Sequence, residues 1–407
     1  MKMRQEFVLC ALAPGAKIAA LCRAYEISRK TGYKWIARFK QDGLLGLDDQ
    51  SRRPTRSPEL LSGIVVQEII RLRIAHPTWG PKKIHPFLVV EFGRHAPARS
   101  SIARVLERTG LAVARPTTLR YPVTAGRQRV HVRQCNDLWT VDFKGWWTTR
   151  DQARCEPLSV RDAYSRFILT LALSANTTGK EVRRVFTRLF ETYGMPKAIL
   201  VDNGPPFGTP LNPLGMSEIA GWWWSLGIEV HHSRPRKPQD NGGHERMHRD
   251  IAAEVQTFPA RNLREQQIAL EHWRHEFNHV RPHEALGQKT PAAFYKKSQR
   301  RWRERQQPQP PRNAQLRKLG TRGQISFRGA EAYVTSALAH QVVGVQPENL
   351  DTFRVWFCNL LIGTLRLTHH KQGPTITFEW ATRKPPFVTV ATPRLPPKKR
   401  TKKKQQT

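Results

Sequence analysis

Along the first hundred residues, apolar side chains recur at the spacing of one helical face. In GAKIAALCRAYEISRKTGYKWIARFKQDGLLGL, Ile18, Leu21 and Cys22 predict a helix, Ile27 falls in a turn, and Ser28 is placed to cap a second helix. That second helix turns Trp35, Ile36 and Phe39 inward and presents Arg29, Lys30, Thr31 and Lys34 outward. A basic helix exposed on a small trihelical core has the geometry of major-groove docking; the alternative is a helical bundle with a solvated charged face. Beyond DDQSRRPTRSPELLS, the segments SGIVVQEIIRLRIAHP, GPKKIHPFLVVEFG and ARSSIARVLERTGL each carry an i, i+3, i+4 apolar stripe. They predict a second helix-turn-helix, with Ser100 or Ser101 opening its last helix.

After an Arg- and Pro-rich linker at 114–134 the period changes. LWTVDFKGWW and PLSVRDAYSRFILTLAL gather β-branched and aromatic residues as strands do, GKEVRRVFTRLFETYG reads as a helix, and KAILVD as a short buried strand. This succession predicts a mixed α/β sheet with helices packed on it. A basic connector leads to GQISFRGAEAYV, QVVGVQPENLDTFRVWFCNLLIGTLRL and TITFEW, short strands broken by Gly and Asn as in a small, SH3-like β-barrel. The expected plan is therefore multidomain. Two helix-turn-helix regions occupy 1–55 and 56–125, an α/β core 126–296, a basic linker 297–319, a small β-barrel 320–385 and a basic tail 386–407.

Charge narrows the class of partner. The 407 residues include 68 Lys and Arg against 32 Asp and Glu, a formal charge of +36. Such a charge repels itself unless a polyanion screens it, which puts nucleic acid ahead of an anionic membrane surface. With 39% hydrophobic residues the chain is too apolar for a disordered basic protein. No stretch approaches the roughly 20 apolar residues of a membrane span, and the N-terminal apolar run is too short for a secretory signal, so a cytoplasmic location is expected. The five cysteines are widely spaced and never form CxxC, which supports neither a disulfide framework nor a Cys-based zinc site. His272, His275 and His279 recur at i, i+3, i+7 but lack an acidic or Cys partner at matched spacing, and read as an amphipathic packing helix. Trp222, Trp223 and Trp224 read as a helix seam with one ring exposed, and His231 and His232 simply close a strand.

Three acidic residues stand apart by context. Asp142 lies in the strand WTVDFKG, where Trp139, Val141 and Phe143 point to one face and Asp142 to the other. Asp202 emerges where the buried run AILV opens into a loop, the place where α/β sheets put ligand-binding groups. Glu245 sits just inside a helix capped by Asp240 or Asn241, after a Gly242-Gly243 pair that gives the preceding loop freedom. Carboxylates from two strands and a flanking helix can converge on hard divalent cations, and two such ions about 3.5–4 Å apart suit an in-line displacement at a phosphodiester. Arg246 and Arg249 lie within about a turn of Glu245, where they would hold a phosphate or line a solvated face.

The strings TVDFKG, RDAYSRFIL, ILVDNGPPF, SRPRKPQDNGGHERMHRD and FNHVRPHEALGQKTPAAFY, in this order, closely resemble the integrase-like DDE transposases of bacterial insertion sequences. The resemblance extends to RKTGYKWIARFKQDGLLGLDDQSRRP, HPTWGPKKI and ISFRGAEAYV, and so covers most of the chain. It implies a ribonuclease H-like core in which Asp142, Asp202 and Glu245 are catalytic and bind two Mg²⁺ ions, with Mn²⁺ able to substitute. It also implies strand cleavage followed by strand transfer, double-stranded DNA partners (terminal inverted repeats and target), homo-oligomers on paired DNA ends, and association with the bacterial nucleoid. The Asp202–Glu245 interval, which holds LNPLGMSEIAGWWWSLGIEV, is longer than in the retroviral branch, and no N-terminal His2Cys2 zinc pattern is present. Two other readings share these features: a catalytically silent DNA-binding regulator, and a nuclease that cuts without joining.

Overall fold

The structure is a computed structural model that describes residues 2–49, 61–112, 129–174, 176–210, 212–233, 242–302, 308–381 and 389–391. Most of the DDQSRRPTRSPELLS segment and of the linker at 114–134, the expected caps Asp240 and Asn241, and nearly all of the basic tail lie outside the described residues. The chain forms two compact units, residues 1–61 and 62–407.

In the first unit three helices, α1 (Lys2–Leu12), α2 (Ile18–Ala24) and α3 (Arg29–Asp42), enclose Phe7, Val8, Cys22 and Leu47. Trp35, Ile36 and Phe39 line that core as the spacing predicts, and the Ser28 side chain caps α3 by accepting from the Thr31 amide at 3.1 Å. Gly32 is required by close approach, since a Cβ there would stand 2.7 Å from Cys22 Sγ. Helix α1 was not anticipated, although Phe7, Val8 and Ala11 fall on one face.

The second unit opens with α4 (Gly63–Ala75), α5 (Pro81–Phe92) and α6 (Arg99–Arg108), packed through residues such as Ile69, Leu72, Ile84, Leu88 and Ile102. Helix α6 starts at Arg99 after Ala98, so Ser100 and Ser101 sit in its first turn and do not cap it, contrary to the sequence expectation. The loop before α5 buries Trp79 completely, stacked on His76 at 3.7 Å, and Arg73 holds it by donating to the Trp79 carbonyl at 2.7 Å.

Five strands form the central mixed sheet: β1 (Leu138–Phe143), β2 (Leu158–Asp162), β3 (Ile168–Ala172), β4 (Ala198–Val201) and β5 (Glu229–His232). Their order is β3-β2-β1-β4-β5; β1 to β3 are antiparallel, and β4 and β5 run parallel to β1. On one face Trp139, Val141, Val160 and Ile199 pack under α7 (Gly179–Tyr193) and α8 (Glu218–Ser225). Trp223 is fully buried there and Trp222 and Trp224 are half-buried beside it, so the run is a packed helix seam but, against expectation, exposes none of its three rings. The opposite face is covered by α9 (Gly242–Ile251) and α10 (Leu263–His279) through Met247, Ile251, Leu270, Trp273 and Phe277. The Asn278 amide on α10 bonds both Ile168 N and Ile168 O, at 2.8 and 2.9 Å, which blunts the free edge of β3.

The C-terminal strands are β6 (Gln315–Lys318), β7 (Gln324–Phe327), β8 (Ala330–Tyr333), β9 (Val342–Pro347), β10 (Thr352–Phe357), β11 (Leu360–His370) and β12 (Gly373–Trp380). They make an antiparallel sheet in the order β12-β11-β10-β9-β6 and a β7–β8 hairpin, which together wrap Ile325, Val343, Val355 and Leu365 as a half-barrel. Leu338 packs against Gly221, where a Cβ would lie 3.0 Å from its Cδ2, so this half-barrel leans on α8.

A buried ionic junction joins the α4–α6 bundle to the core. Arg281, only 1% exposed, pairs with Asp250 and Glu254 at 2.6 Å each and donates to the Thr78 hydroxyl at 2.9 Å. Around it lie the more exposed pairs His76–Glu276 at 3.0 Å and Lys82–Glu284 at 2.7 Å. Removing Arg281 leaves two carboxylates in a largely buried setting. Arg281→Ala should therefore cost about 3–5 kcal/mol of stability, whereas Lys82→Ala should cost no more than about 1 kcal/mol. Urea midpoints of the full chain check this; similar shifts for both would contradict it.

Candidate active site

Strand alternation points Asp142 away from Trp139 and Val141 and toward α9. Its register partner on β2 is Ser159, whose fully buried hydroxyl donates to the Asp142 carbonyl at 2.8 Å. Asp202 is the first residue beyond β4, at the carboxyl end of the parallel strands, and its carboxylate accepts from the Gly204 amide at 3.3 Å. The Asp202 carbonyl accepts from His232 Nδ1 at 3.0 Å, and Asn203 donates to the Ser233 carbonyl at 2.6 Å, so the loop after β4 is tied to the end of β5. Glu245 lies in the first turn of α9, exposed.

What presses α9 onto the sheet is His244, wholly buried, with Nε2 2.8 Å from the Thr140 hydroxyl and Nδ1 3.0 Å from the Ser159 hydroxyl. One turn later His248 places Nε2 3.1 Å from Ser159 Oγ and Nδ1 3.9 Å from Asp142 Oδ2. Gly243 lies within α9 against Arg161, where a Cβ would stand 2.2 Å from Nη1. This corrects the expectation of a free loop: Gly243 is there for contact with a buried guanidinium, and Gly242 already belongs to the helix.

Burial first, and then the charges of Asp202 and Glu245, push the Asp142 carboxyl up to about 7. Asp202 is raised as well, by burial. Burial holds His244 well below the ordinary histidine value and His248 down to about 4, helped at His248 by Lys144 and Arg161, so both rings are neutral near pH 7. Asp142 thus feels both other acids, although the carboxylates of the three do not stand at mutual ligand distance. Among the described residues, the group whose ligand atoms lie within 4.8 Å of one another is Asp142, His244 and His248. Oxygen donors that repel one another in this way fit a divalent cation, which their charges would hold and which would relieve the repulsion.

The other predicted residues are spread out. Arg29, Lys30 and Lys34 are exposed on α3 in the first unit, while Thr31 is half-buried, its hydroxyl 2.8 Å from Ser28 Oγ. Arg246 and Arg249 are exposed on α9, and Arg246 acts electrostatically on Lys83 and Glu284, toward α5. His275 and His279 stack at 4.6 Å, in keeping with a packing helix. Sequence reasoning gave no role to His232, His244, His248 or Ser159. The signal available for two of them was the string HERMH, with histidines one helical turn apart on either side of Glu245.

Metal ions compete with protons for carboxylates. Divalent-cation binding should therefore weaken as pH falls through about 7, where Asp142 takes up its proton. Calorimetric Mg²⁺ titrations at about pH 6 and about pH 8 check this, and equal affinities would contradict it.

Residues 132–238 and 226–291 match the integrase core domain, residues 3–55 a helix-turn-helix domain and residues 31–106 a homeodomain-like domain. The 39.2 kDa protein of insertion element IS476 from Xanthomonas euvesicatoria is 25% identical over 286 residues, spanning 70% of this chain and 78% of that protein. The 31.7 kDa protein of insertion element IS407 from Burkholderia multivorans is 24% identical over 254 residues, spanning 62% of this chain and 87% of that protein. Among solved structures, the HTLV-2 integrase catalytic core domain in complex with magnesium aligns over 40% of this chain and 98% of its own, at 18% identity and a TM-score of 0.31. The simian T-cell lymphotropic virus intasome, solved in complex with the PP2A regulatory subunit B56 gamma, aligns over 74% of this chain and 96% of its own, at 15% identity and a TM-score of 0.35. The chain thus carries helix-turn-helix domains ahead of an integrase core domain, and it is similar in sequence to proteins of bacterial insertion elements.

Proposed function

We propose that the protein binds the terminal inverted repeats of an insertion element, cleaves a DNA strand at the element's end and transfers the freed 3′-hydroxyl to a target phosphodiester. The observation that carries this reading is the placement of three acids on adjoining segments: Asp142 on β1, Asp202 just beyond the neighbouring β4, and Glu245 on α9 beside the His244 that bonds β1 and β2. In this reading they hold two Mg²⁺ ions, with Mn²⁺ able to substitute, and the bound ions supply Lewis acidity to the scissile phosphodiester. No side-chain nucleophile is needed. Asp142 and Asp202 sit on backbone held by Ser159 and His232, which keeps their carboxylates at the strand ends.

DNA is engaged elsewhere on the chain. Helix α3 offers exposed Arg29, Lys30 and Lys34 to a major groove, with Thr31 at its capped start, and the formal charge of +36 favours phosphate contacts throughout. Arg246 and Arg249 on α9 are assigned to phosphates of the strand presented to Glu245. Joining two element ends calls for more than one copy of the chain, assembled as a homo-oligomer on paired DNA ends. Among the described residues no helix is long and apolar enough to cross a membrane.

The test is a cleavage and joining assay with Mg²⁺ on DNA carrying the gene's own flanks. Wild type should give nicked ends and joined products, whereas Asp202→Asn and Glu245→Gln should give neither while binding the flanks nearly as well. Nicking without joining would mean a nuclease; binding without either product in the wild type would mean a silent regulator. Full activity of Glu245→Gln would show that the third acid is misassigned. Binding to the flanks should also fall steeply and linearly on a plot of log affinity against log salt, and indifference to salt would overturn the assignment of DNA as partner.

A further inference from the structure

One hydroxyl decides which nitrogens of the two histidines carry protons. Ser159 Oγ has a single hydrogen and donates it to the Asp142 carbonyl at 2.8 Å. Toward His244 Nδ1 at 3.0 Å and His248 Nε2 at 3.1 Å it can therefore only accept. His244 is then the Nδ1–H tautomer, and its bare Nε2 accepts from the Thr140 hydroxyl at 2.8 Å. His248 is the Nε2–H tautomer, and its bare Nδ1 faces Asp142 Oδ2 at 3.9 Å. That separation is too long for a hydrogen bond, and once Asp142 is ionised its oxygen and the bare ring nitrogen repel unless a cation stands between them.

The spacing suits such a cation. Metal–ligand bonds of about 2.1 Å leave two donors of one ion about 3–4 Å apart. A ligating imidazole also has its second nitrogen fixed by a hydrogen bond to an oxygen, which Ser159 supplies to His248. His244 is different: hydroxyls engage both of its nitrogens, so it bridges strands and stays out of the ligand set.

We propose that His248 Nδ1 joins Asp142 as a direct ligand of one divalent cation. A nitrogen donor of this kind tilts the site from Mg²⁺ toward Mn²⁺ and other first-row transition cations. The inference rests on the reading of Asp142 as a metal-binding carboxylate.

Pulsed electron paramagnetic resonance of the full chain with substoichiometric Mn²⁺, without DNA, tests it. Wild type should show the nitrogen hyperfine coupling of a coordinated imidazole. His248→Gln should lose that coupling and bind Mn²⁺ on the order of tenfold or more weaker, with a smaller change for Mg²⁺. Mn²⁺ bound without nitrogen coupling, or unaltered affinity and coupling in His248→Gln, would overturn the proposal; so would failure of the wild type to bind Mn²⁺. Asp142→Asn separates the two levels of the argument. If it abolishes Mn²⁺ binding while nitrogen coupling is absent from the wild type, the carboxylate site stands and only the histidine ligand falls. If Asp142→Asn binds Mn²⁺ as wild type does, the reading of Asp142 falls as well. The wild-type spectrum gives the primary answer even if His248→Gln does not fold.

Discussion

The buried bridge from His244 to Thr140 and Ser159 is the constraint on which the site depends. It places the residue before Glu245 between β1 and β2, the two strands whose paired residues Asp142 and Ser159 face each other. Each hydrogen bond is worth only about 0.5–1.5 kcal/mol net, but breaking either strands a hydroxyl and a ring nitrogen in a dry interface, which costs about 1–3 kcal/mol per group. Helix α9 can therefore seat on the sheet in one rotational setting. Glu245, about 100° further round the helix, takes its direction from that setting.

The far end of α9 is held by a different force. Asp250 and the nearby Glu254 meet Arg281, whose guanidinium also reaches Thr78 in the loop before α5. The α4–α6 bundle, with its fully buried Trp79, is thus coupled through one cation to the helix that carries Glu245. Asp202 is positioned independently, by the strand end of β4 and the His232 contact from β5. The three acids arrive from a strand, a loop and a helix, each on backbone tied to the sheet by a neighbouring polar contact.

Much of this architecture was legible in the sequence because periodicity reports burial. The alternation around Asp142 and the apolar run before Asp202 follow from which side chains must leave water, and the helical stripes on α3 and α7 follow likewise. The resemblance to integrase-like transposases then pointed to the same three acids. The polar clamps were not legible in this way. Ser159, His232 and His244 act through hydrogen bonds to residues far away in the chain, and no local pattern encodes a partner that distant. Gly243 misled for a related reason, since a glycine reads as a loop unless the guanidinium packed against it is known. Helix α1 is hard to read because its apolar run at the chain start shares the look of a signal peptide, and the start of α6 is missed because cap position is the least determined feature of a helix end.

The proposed convergence of Asp142, Asp202 and Glu245 on one metal site is open to a direct structural measurement. Anomalous diffraction from crystals grown with Mn²⁺ tests it most directly. Anomalous density is expected in contact with the carboxylates of Asp142 and Asp202 and within ligand reach of Glu245 on α9. Mn²⁺ bound away from β1 and β4, or a Glu245 side chain turned away from the ion while both aspartates hold it, would rule out a site shared by the three acids.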